Sequence, residues 1–389
     1  MYRGKVDLIL GGSVILLIML GQLMVFSASS MYANLVYGSL TYFFLKQLMW
    51  GVISIFLIIQ ISNFDYRRLN NEKTIMIMVL VTLLMLIAVL FFGRTIKGAT
   101  RWFSLGFFNF QPSEVAKITV IMFLAQKLSK RGVEELDFKT FLLPIYIIVG
   151  SMLFLVMIQP DLSTSLMIAG ISALMIFVSR VKLTYLLYTS LSIVPVVIFM
   201  LGKNSYQLRR VTSWLKSIYN PLLAEHQVKQ SIIGIGRGGW LGNGLGESKQ
   251  KLFFLPDSHT DFIFSIISEE FGFLGASIIL ILFLLILIRG LRIARNAPDG
   301  FGQFMALGIT MNISLYAFIN VAVVSNLTPA TGLPMPFISY GGSHLIFMAL
   351  SVGVLLNISR HLRHGNNDVS YNDFRTGRSQ LGSTLLEVD

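Results

Sequence analysis

Cysteine is missing from the chain altogether, which excludes disulfides, thiolate nucleophiles and thiolate metal ligands and leaves the redox compartment unread. Charge is sparse as well: 13% of the 389 residues are charged against 54% hydrophobic, a balance that excludes an ordinary soluble domain. No alternation of strand and helix patterns runs through the sequence either. The stretch "GIGRGG", Gly234 to Gly239, formally meets the dinucleotide fingerprint but lacks the strand and helix that the motif needs around it. Its glycines are expected to give flexible backbone near a membrane surface, able to approach a ligand closely.

What fills the chain is apolar sequence, with a mean hydropathy of +0.71. Runs long enough to cross a hydrocarbon core of about 30 Å extend over Leu8–Phe26, Phe43–Ile61, Ile75–Phe92, Phe141–Ile158, Leu183–Leu201, Phe262–Ile288, Phe304–Val324 and Phe337–Leu356. Shorter runs at Val115–Leu128 and Leu166–Val178 bring the expected number of transmembrane helices to about ten. The fold class is therefore an all-α polytopic membrane protein. Basic residues test the count, because short cytoplasmic loops hold the excess of Lys and Arg. Arg3 and Lys5, then Arg67, Arg68 and Lys73, then Lys127, Lys130 and Arg131 fall in alternate loops. Arg180 and Lys182, Arg289, Arg292 and Arg295, and finally Arg360 and Arg363 continue the pattern. Both termini are thus expected in the cytoplasm, and omitting either short helix would put the later clusters on the wrong side. The net charge of +12 follows from this topology and gives no reason to expect nucleic acid. Residues 1–365 read as a single transmembrane domain whose first helix serves as a retained signal anchor. Residues 366–389 read as a polar, disordered cytoplasmic tail.

The outward loop between helices 7 and 8, residues 202–261, breaks the charge rule with Lys203, Arg209, Arg210, Lys216, Lys229, Arg237, Lys249 and Lys251. Long loops cross a membrane regardless of charge, so a solvated loop is one reading. The other is an anion site. "YQLRRVTSWLKSIYN" places Leu208, Val211, Trp214, Leu215 and Ile218 on one helical face, as suits a helix lying in the interface. A second outward loop carries Arg94, Lys97 and Arg101 beside Trp102. Cations next to interfacial aromatics suit the headgroup of a phosphorylated lipid, since arginine grips phosphate oxygens bidentately.

Ionisable groups also stand at three outward helix entrances: Glu114 and Lys117 in "QPSEVAK", Asp161 in "QPDLSTS", and His259, Asp261, Glu269 and Glu270 in "HTDFIFSIISEE". Such groups are costly in lipid and mark function by default. Glu114 and Lys117, three apart, share a helix face and can neutralise each other or bind substrate. Asp161 and Asp261 each precede a helix, where Asp is a favoured N-cap. Asp261 can alternatively be a general base if partial burial raises its pKa against the pull of the helix end. His259 is a substrate donor or base of lower rank.

The blocks "KGATRWFSLGFFNFQPSEVAK", "QPDLSTS", "GNGLGESKQKLFFLPDSHTDFIFSIISEEFGFLGA" and "TGLPMPFISYGGSHL" resemble the signatures of the bacterial SEDS (shape, elongation, division, sporulation) proteins, the FtsW/RodA/SpoVE family. The likeness extends over roughly Asp7 to Arg360 and is nearer the division branch than the elongation branch. It implies a ten-helix glycosyltransferase of the bacterial inner membrane that polymerises lipid II into peptidoglycan on the outer leaflet. It further implies undecaprenyl-linked glycan as substrate, a class B penicillin-binding protein transpeptidase as partner, and other division or elongation membrane proteins around it. The family's essential acid maps to Asp261, and its outward Arg, its Glu and Lys and its second Asp map to Arg101, Glu114, Lys117 and Asp161. Substrate contacts would also come from Arg209, Arg210, Arg237, Lys249, His259 and Ser343. The chain departs from the family at His344, where a small hydroxyl residue is usual, and this disturbs the expected lining near Ser343. A divalent cation (Mg or Mn) could assist the leaving group, although the sequence presents no metal cage. Two rivals stay open: a lipid-linked sugar flippase, and a non-catalytic scaffold for a transpeptidase. Charges clustered only at the outer side count against a flippase, whose site should lie near the midplane.

Overall fold

The structure is a computed structural model that describes residues 4–96, 99–104, 106, 108–130, 138–179, 205–220 and 223–362. The expected span Leu183–Leu201 and the tail 366–389 lie outside the described residues. Within them the chain forms α1 (Leu8–Tyr37), α2 (Tyr42–Asn63), α3 (Glu72–Phe92), α4 (Pro112–Leu128), α5 (Leu143–Ile158) and α6 (Leu162–Val178). There follow α7 (Ser205–Tyr219), α8 (His226–Gly238), α9 (Ile263–Asn296), α10 (Gly300–Val324) and α11 (Gly342–Ser359). Among the described residues, α1, α2, α3, α9, α10 and α11 are long and apolar enough to cross a membrane, while α5 and α6 are shorter apolar helices.

Helix α4 is not among these, being only seventeen residues long and carrying Glu114, Lys117 and Lys127, yet it is the innermost of the described helices: all but three of its residues are buried. The polar pair is tolerated because neighbouring helices, not lipid, surround it. Helices α3 and α10 flank α4, and Tyr316, Phe301, Phe123 and Lys117 are among the largest side chains sealed inside. The outer ring is apolar on both faces: Phe91 and Phe92 of α3 and Leu8 and Met19 of α1 stay exposed, which suits contact with lipid tails that are as apolar as the core.

Two features depart from an all-helical reading. Residues after α3 form a small antiparallel meander of β1 (Arg94–Ile96), β2 (Ala99–Ser104) and β3 (Asn109–Phe110). Thr100 faces Thr95, and Phe103 faces Phe110; β-branched and aromatic residues fit such pairing. The last span also begins later than expected. Phe337 takes a φ of 65°, so 336–338 form a turn and α11 starts at Gly342.

The expectation for "GIGRGG" is overturned. Gly234 and Gly238 belong to the helix α8, where a Cβ on Gly234 would come within 2.8 Å of Ser265 Oγ, and one on Gly238 within 1.9 Å of Ser268 O. These two glycines serve close helix packing four residues apart, whereas Gly236 meets nothing within 4 Å and Gly239 ends the helix at a φ of 52°. Beyond them, α9 breaks at Gly272 (φ 65°, ψ −163°). The loop from Gly239 laces into the break: Phe273 and Leu274 donate to the carbonyls of Gly239 and Trp240 at 2.8 and 3.2 Å, and Asn243 and Gly244 donate to those of Glu269 and Glu270 at 3.0 Å. Backbone groups released by the break thereby find partners inside the protein, as a membrane requires. Gly242 and Gly272 meet so closely that a Cβ on Gly272 would sit 2.4 Å from the Gly242 nitrogen.

At the end of the bundle opposite the sheet, Arg289 pairs with Asp7 at 2.7 Å and the Tyr66 hydroxyl donates to Asp299. Burial, with Asp299 beside it, pushes that hydroxyl well above its usual pKa.

Candidate active site

At the sheet end, four chain segments converge on residues 258–261. Ser258 Oγ donates to the Ala28 carbonyl of α1 at 3.3 Å, and the Tyr340 amide donates to the His259 carbonyl at 3.0 Å. Ser339 Oγ donates to the Thr260 carbonyl at 2.6 Å. Asn320 of α10 donates from Nδ2 to the carbonyls of both Asp261 and Leu333 at 2.7 Å. The backbone that carries Asp261 is thus fixed from outside, carbonyl by carbonyl. Its half-buried carboxylate lies beside Gly332, close enough that a Cβ there would be 3.4 Å from Oδ2. The helix that follows takes Phe262, not Asp261, as its N-cap.

His259 is packed among rings. It lies 5.9 Å from Tyr32, nearly parallel, 4.9 Å from Phe43 and 5.8 Å from Tyr340 between centroids. Burial and the neighbouring Tyr42 and Tyr37 push the Tyr340 hydroxyl up to about 12, so it stays a neutral donor at physiological pH.

Asp161 behaves as the capping reading expects. It is the N-cap of α6, and its Oδ1 accepts from the Thr164 amide at 3.2 Å. Arg101 of β2 reaches across to the turn before it, donating to the Gln159 carbonyl at 3.0 Å and to the Pro160 carbonyl, with Nη1 3.6 Å from Asp161 Oδ1. Gln111, just before α4, donates to Asp161 Oδ2 at 3.4 Å, and its amide donates to Ser343 Oγ at 3.3 Å. Ser343 in turn donates to the Asn109 carbonyl at 2.7 Å. Arg101, Asp161 and Ser343 are therefore gathered at the start of α4.

Beneath this layer lies a buried ionic cluster. Lys117 Nζ sits 2.8 Å from Glu114 Oε2 and donates to Tyr316 Oη at 2.8 Å. His344 places Nδ1 3.3 Å from Glu114 Oε1 and its ring 5.2 Å from that of Tyr316. Two links join cluster and loop. Tyr316 stands one helical turn below Asn320, which holds Asp261, and Ser163 at the start of α6 donates to the Thr331 carbonyl at 2.7 Å, next to Gly332.

The basic loop is only partly gathered in. Arg210 of α7 donates to the Ala330 carbonyl at 3.1 Å and pairs with Glu225 at 3.5 Å, which puts it against the segment facing Asp261; Arg209 precedes it on the same helix, exposed. Trp214 Nε1 donates to the Asn326 carbonyl at 3.2 Å while Leu208, Leu215 and Ile218 stay exposed, as an interfacial helix requires. Arg237 and Lys249 have exposed side chains, and no described contact carries either to the Asp261 segment. The Lys249 amide instead donates to Glu269 Oε1 at 3.2 Å. Glu269 also accepts from Ser248 Oγ and, at 3.2 Å, from the Gln250 amide. Glu270 accepts from Ser27 Oγ at 2.7 Å and pairs with Lys251 at 3.0 Å. Both carboxylates anchor the loop.

Sequence reasoning missed Gln111, Tyr316, Asn320 and Gly332. A buried Tyr or Asn in an apolar helix carries no periodic mark, although a polar residue inside a span is itself a signal. Among the described residues, no group of three or more His, Asp or Glu could hold a metal ion.

Sequence comparison matches residues 8–364 to the family described as cell cycle protein, FtsW/RodA/SpoVE. Stage V sporulation protein E of Bacillus subtilis (strain 168) is 38% identical over 92% of this chain and 98% of its own. A probable peptidoglycan glycosyltransferase FtsW of Geobacter sp. (strain M18) is also 38% identical, over 92% of this chain and 97% of its own. Among solved structures, a chain of a peptidoglycan synthase complex superposes with a TM-score of 0.73 at 26% identity, covering 91% of this chain and 98% of that one. Thermus thermophilus rod shape determining protein RodA gives 0.67 at 26% identity, over 92% and 98%.

Proposed function

Because this chain belongs to the FtsW/RodA/SpoVE family of multi-pass membrane proteins, we propose that it is a peptidoglycan glycosyltransferase that polymerises lipid II with Asp261 as general base. The sheet end faces the outer leaflet of the bacterial inner membrane and both termini face the cytoplasm. Asp261 takes the proton of the sugar 4-hydroxyl on incoming lipid II. That oxygen attacks the anomeric carbon of the growing chain, and the carbon–oxygen bond to undecaprenyl pyrophosphate breaks with its electron pair leaving on the diphosphate. One displacement inverts the anomeric centre. Arg101, Arg209 and Arg210 supply positive charge near the leaving diphosphate, where fixed cations in a site shielded from water are worth several kcal/mol. Glu114 and Lys117 shape the floor. The described residues provide no metal cage, so no step is assigned to a divalent cation. A class B penicillin-binding protein is the partner, as the likeness to a chain of a peptidoglycan synthase complex supports.

One observation carries this reading: Asn320, Ser339 and the Tyr340 amide fix the backbone of residues 259–261, which holds the half-buried Asp261 carboxylate in place beside Gly332. The purified chain with labelled lipid II, alone and with its transpeptidase, is the test. Glycan ladders from wild type and none from Asp261→Asn support the base. Full ladders from a folded Asp261→Asn remove it, transport without bond formation would mean a flippase, and neither would mean a scaffold.

A further inference from the structure

The basic outer loop keeps its charges off one stretch. Between Arg237 and Glu247 there is no ionisable residue, and the run "GWLGNGLG", Gly239 to Gly246, holds only Gly, Trp, Leu and one Asn. Its large side chains are not packed away: Trp240 is 73% exposed and Leu241 77%, with Leu245 exposed beyond them. A cluster of this kind marks an interaction surface. Its backbone is tied to the break in α9. The carbonyls of Gly239 and Trp240 accept from Phe273 and Leu274 at 2.8 and 3.2 Å, while the amides of Gly242, Asn243 and Gly244 donate to the carbonyls of Gly238, Glu269 and Glu270 at 2.8, 3.0 and 3.0 Å. Trp240 also sets its ring edge-on to that of Phe273, 5.2 Å between centroids. The run therefore shares the height of residues 272–274.

Two helices measure that height. Gly272 lies seventeen residues before Arg289 in α9, about 26 Å at the helical rise. Arg289 pairs with Asp7 at the foot of α1, and Ser27, twenty residues along α1 from Asp7 and so about 30 Å away, donates to Glu270. Both routes put the run at the far edge of a hydrocarbon core about 30 Å thick. Exposed apolar side chains continue below it on α9 at Leu274, Ile278 and Ile281, which share one helical face.

We propose that residues 239–246 dip into the leaflet at the sheet end, the outer leaflet of the proposed orientation, with Trp240 and Leu241 seated where headgroups meet acyl chains. Non-helical backbone at that depth needs partners within the protein, and the bonds to the break supply them. Trp suits this boundary, its ring apolar and its indole N–H wet. Arg237, Glu247 and Lys249, all exposed, flank the run among the headgroups. The occupant of the patch is the phospholipid leaflet itself, whether or not the site polymerises lipid II. Because the run holds the upper part of α9, which follows Asp261, it seats that segment at the membrane surface.

The lack of cysteine makes the test direct. Full-length Leu241→Cys and Glu247→Cys chains, each carrying one environment-sensitive fluorophore, are placed in nanodiscs of phosphatidylethanolamine and phosphatidylglycerol, with or without bromine on the acyl chains. Bromolipid quenches the label at 241, and iodide in the water quenches the label at 247. Trp240→Phe needs no label: it removes part of the tryptophan emission that bromolipid quenches in wild type, while Trp50, Trp102 and Trp214 remain. Iodide quenching 241 more than bromolipid does overturns the proposal, as does bromolipid-sensitive emission that Trp240→Phe leaves unaltered. The same readings are expected with the transpeptidase bound; loss of bromolipid quenching there would give the patch to the partner protein and overturn lipid as its occupant.

Discussion

Asp161 and Asp261 occupy matching places, each just ahead of a helix at the sheet end, yet they are held in opposite ways. Asp161 is held by its own side chain, which caps α6, meets Arg101 and accepts from Gln111. Asp261 is held by its backbone: Asn320 grips its carbonyl, Ser339 grips that of Thr260, and the Tyr340 amide grips that of His259. In the first case the carboxylate is structural material. In the second the carboxylate rides on a backbone that distant segments fix. Two aspartates that look alike in sequence therefore differ in what an amide can replace, since Asn caps a helix about as well as Asp but cannot take a proton.

The largest effect expected from this difference is at Asp261. Asp261→Asn lowers the polymerisation rate by about a hundredfold to ten-thousandfold, the range of general base catalysis, with the melting temperature close to wild type, both measured on one purified preparation. A large fall in melting temperature would instead place Asp261 with Asp161 as structural. Glu114→Gln comes next, and its effect is on stability. It removes the countercharge of Lys117, which is buried, and breaking a buried pair from one side costs about 3–5 kcal/mol, read as a drop in thermal or denaturant stability in detergent. A neutral second change, Lys117→Met on top of Glu114→Gln, should recover part of that loss.

Much of the fold and of the site was legible in the sequence, and the reasons are physical. Apolar runs mark spans because lipid demands them, and even α4 was visible through "QPSEVAK", where Pro and Glu open a helix. Arg101, Glu114, Lys117, Asp161 and Asp261 stood out because charge is rare in this chain. The three-strand meander was hidden by masked periodicity, since "ATRWFS" alternates over too few residues to register. Whether Asp161 or Asp261 caps its helix was also illegible. Both precede apolar runs, and the choice depends on Asn320 and Ser339, which arrive from distant segments. The glycines of "GIGRGG" were misread for a related reason: a glycine needed for helix contact at Ser265 and Ser268 looks in one dimension like a glycine needed for a turn.

That glycine contact supplies the third test, because it supports the segment that follows Asp261. Gly238→Ala drives a methyl into the Ser268 carbonyl at 1.9 Å, and overpacking of this kind costs about 1–3 kcal/mol. Gly236→Ala, two residues away with nothing within 4 Å, removes glycine from a helix interior and should stabilise by up to about 1 kcal/mol. If the two melt alike, α8 does not brace the segment, and Asp261 owes its position to Asn320 and Ser339 alone.

The smallest effect belongs to Asp161→Asn, and it is the sharpest check on the comparison. The amide still accepts from the Thr164 amide, so the cap survives. The ion pair it loses is long, 3.6 Å, and its arginine is about a quarter exposed (26%), so the loss is under about 1 kcal/mol. Arg101 keeps its bonds to the Gln159 and Pro160 carbonyls and should stay in place. Stability near wild type, with polymer formed at a rate within about tenfold of it, about 1.4 kcal/mol of barrier, is the expected outcome. A loss as deep as that of Asp261→Asn would mean that Asp161 also acts on the substrate, and that a carboxylate can serve as cap and reactant at once.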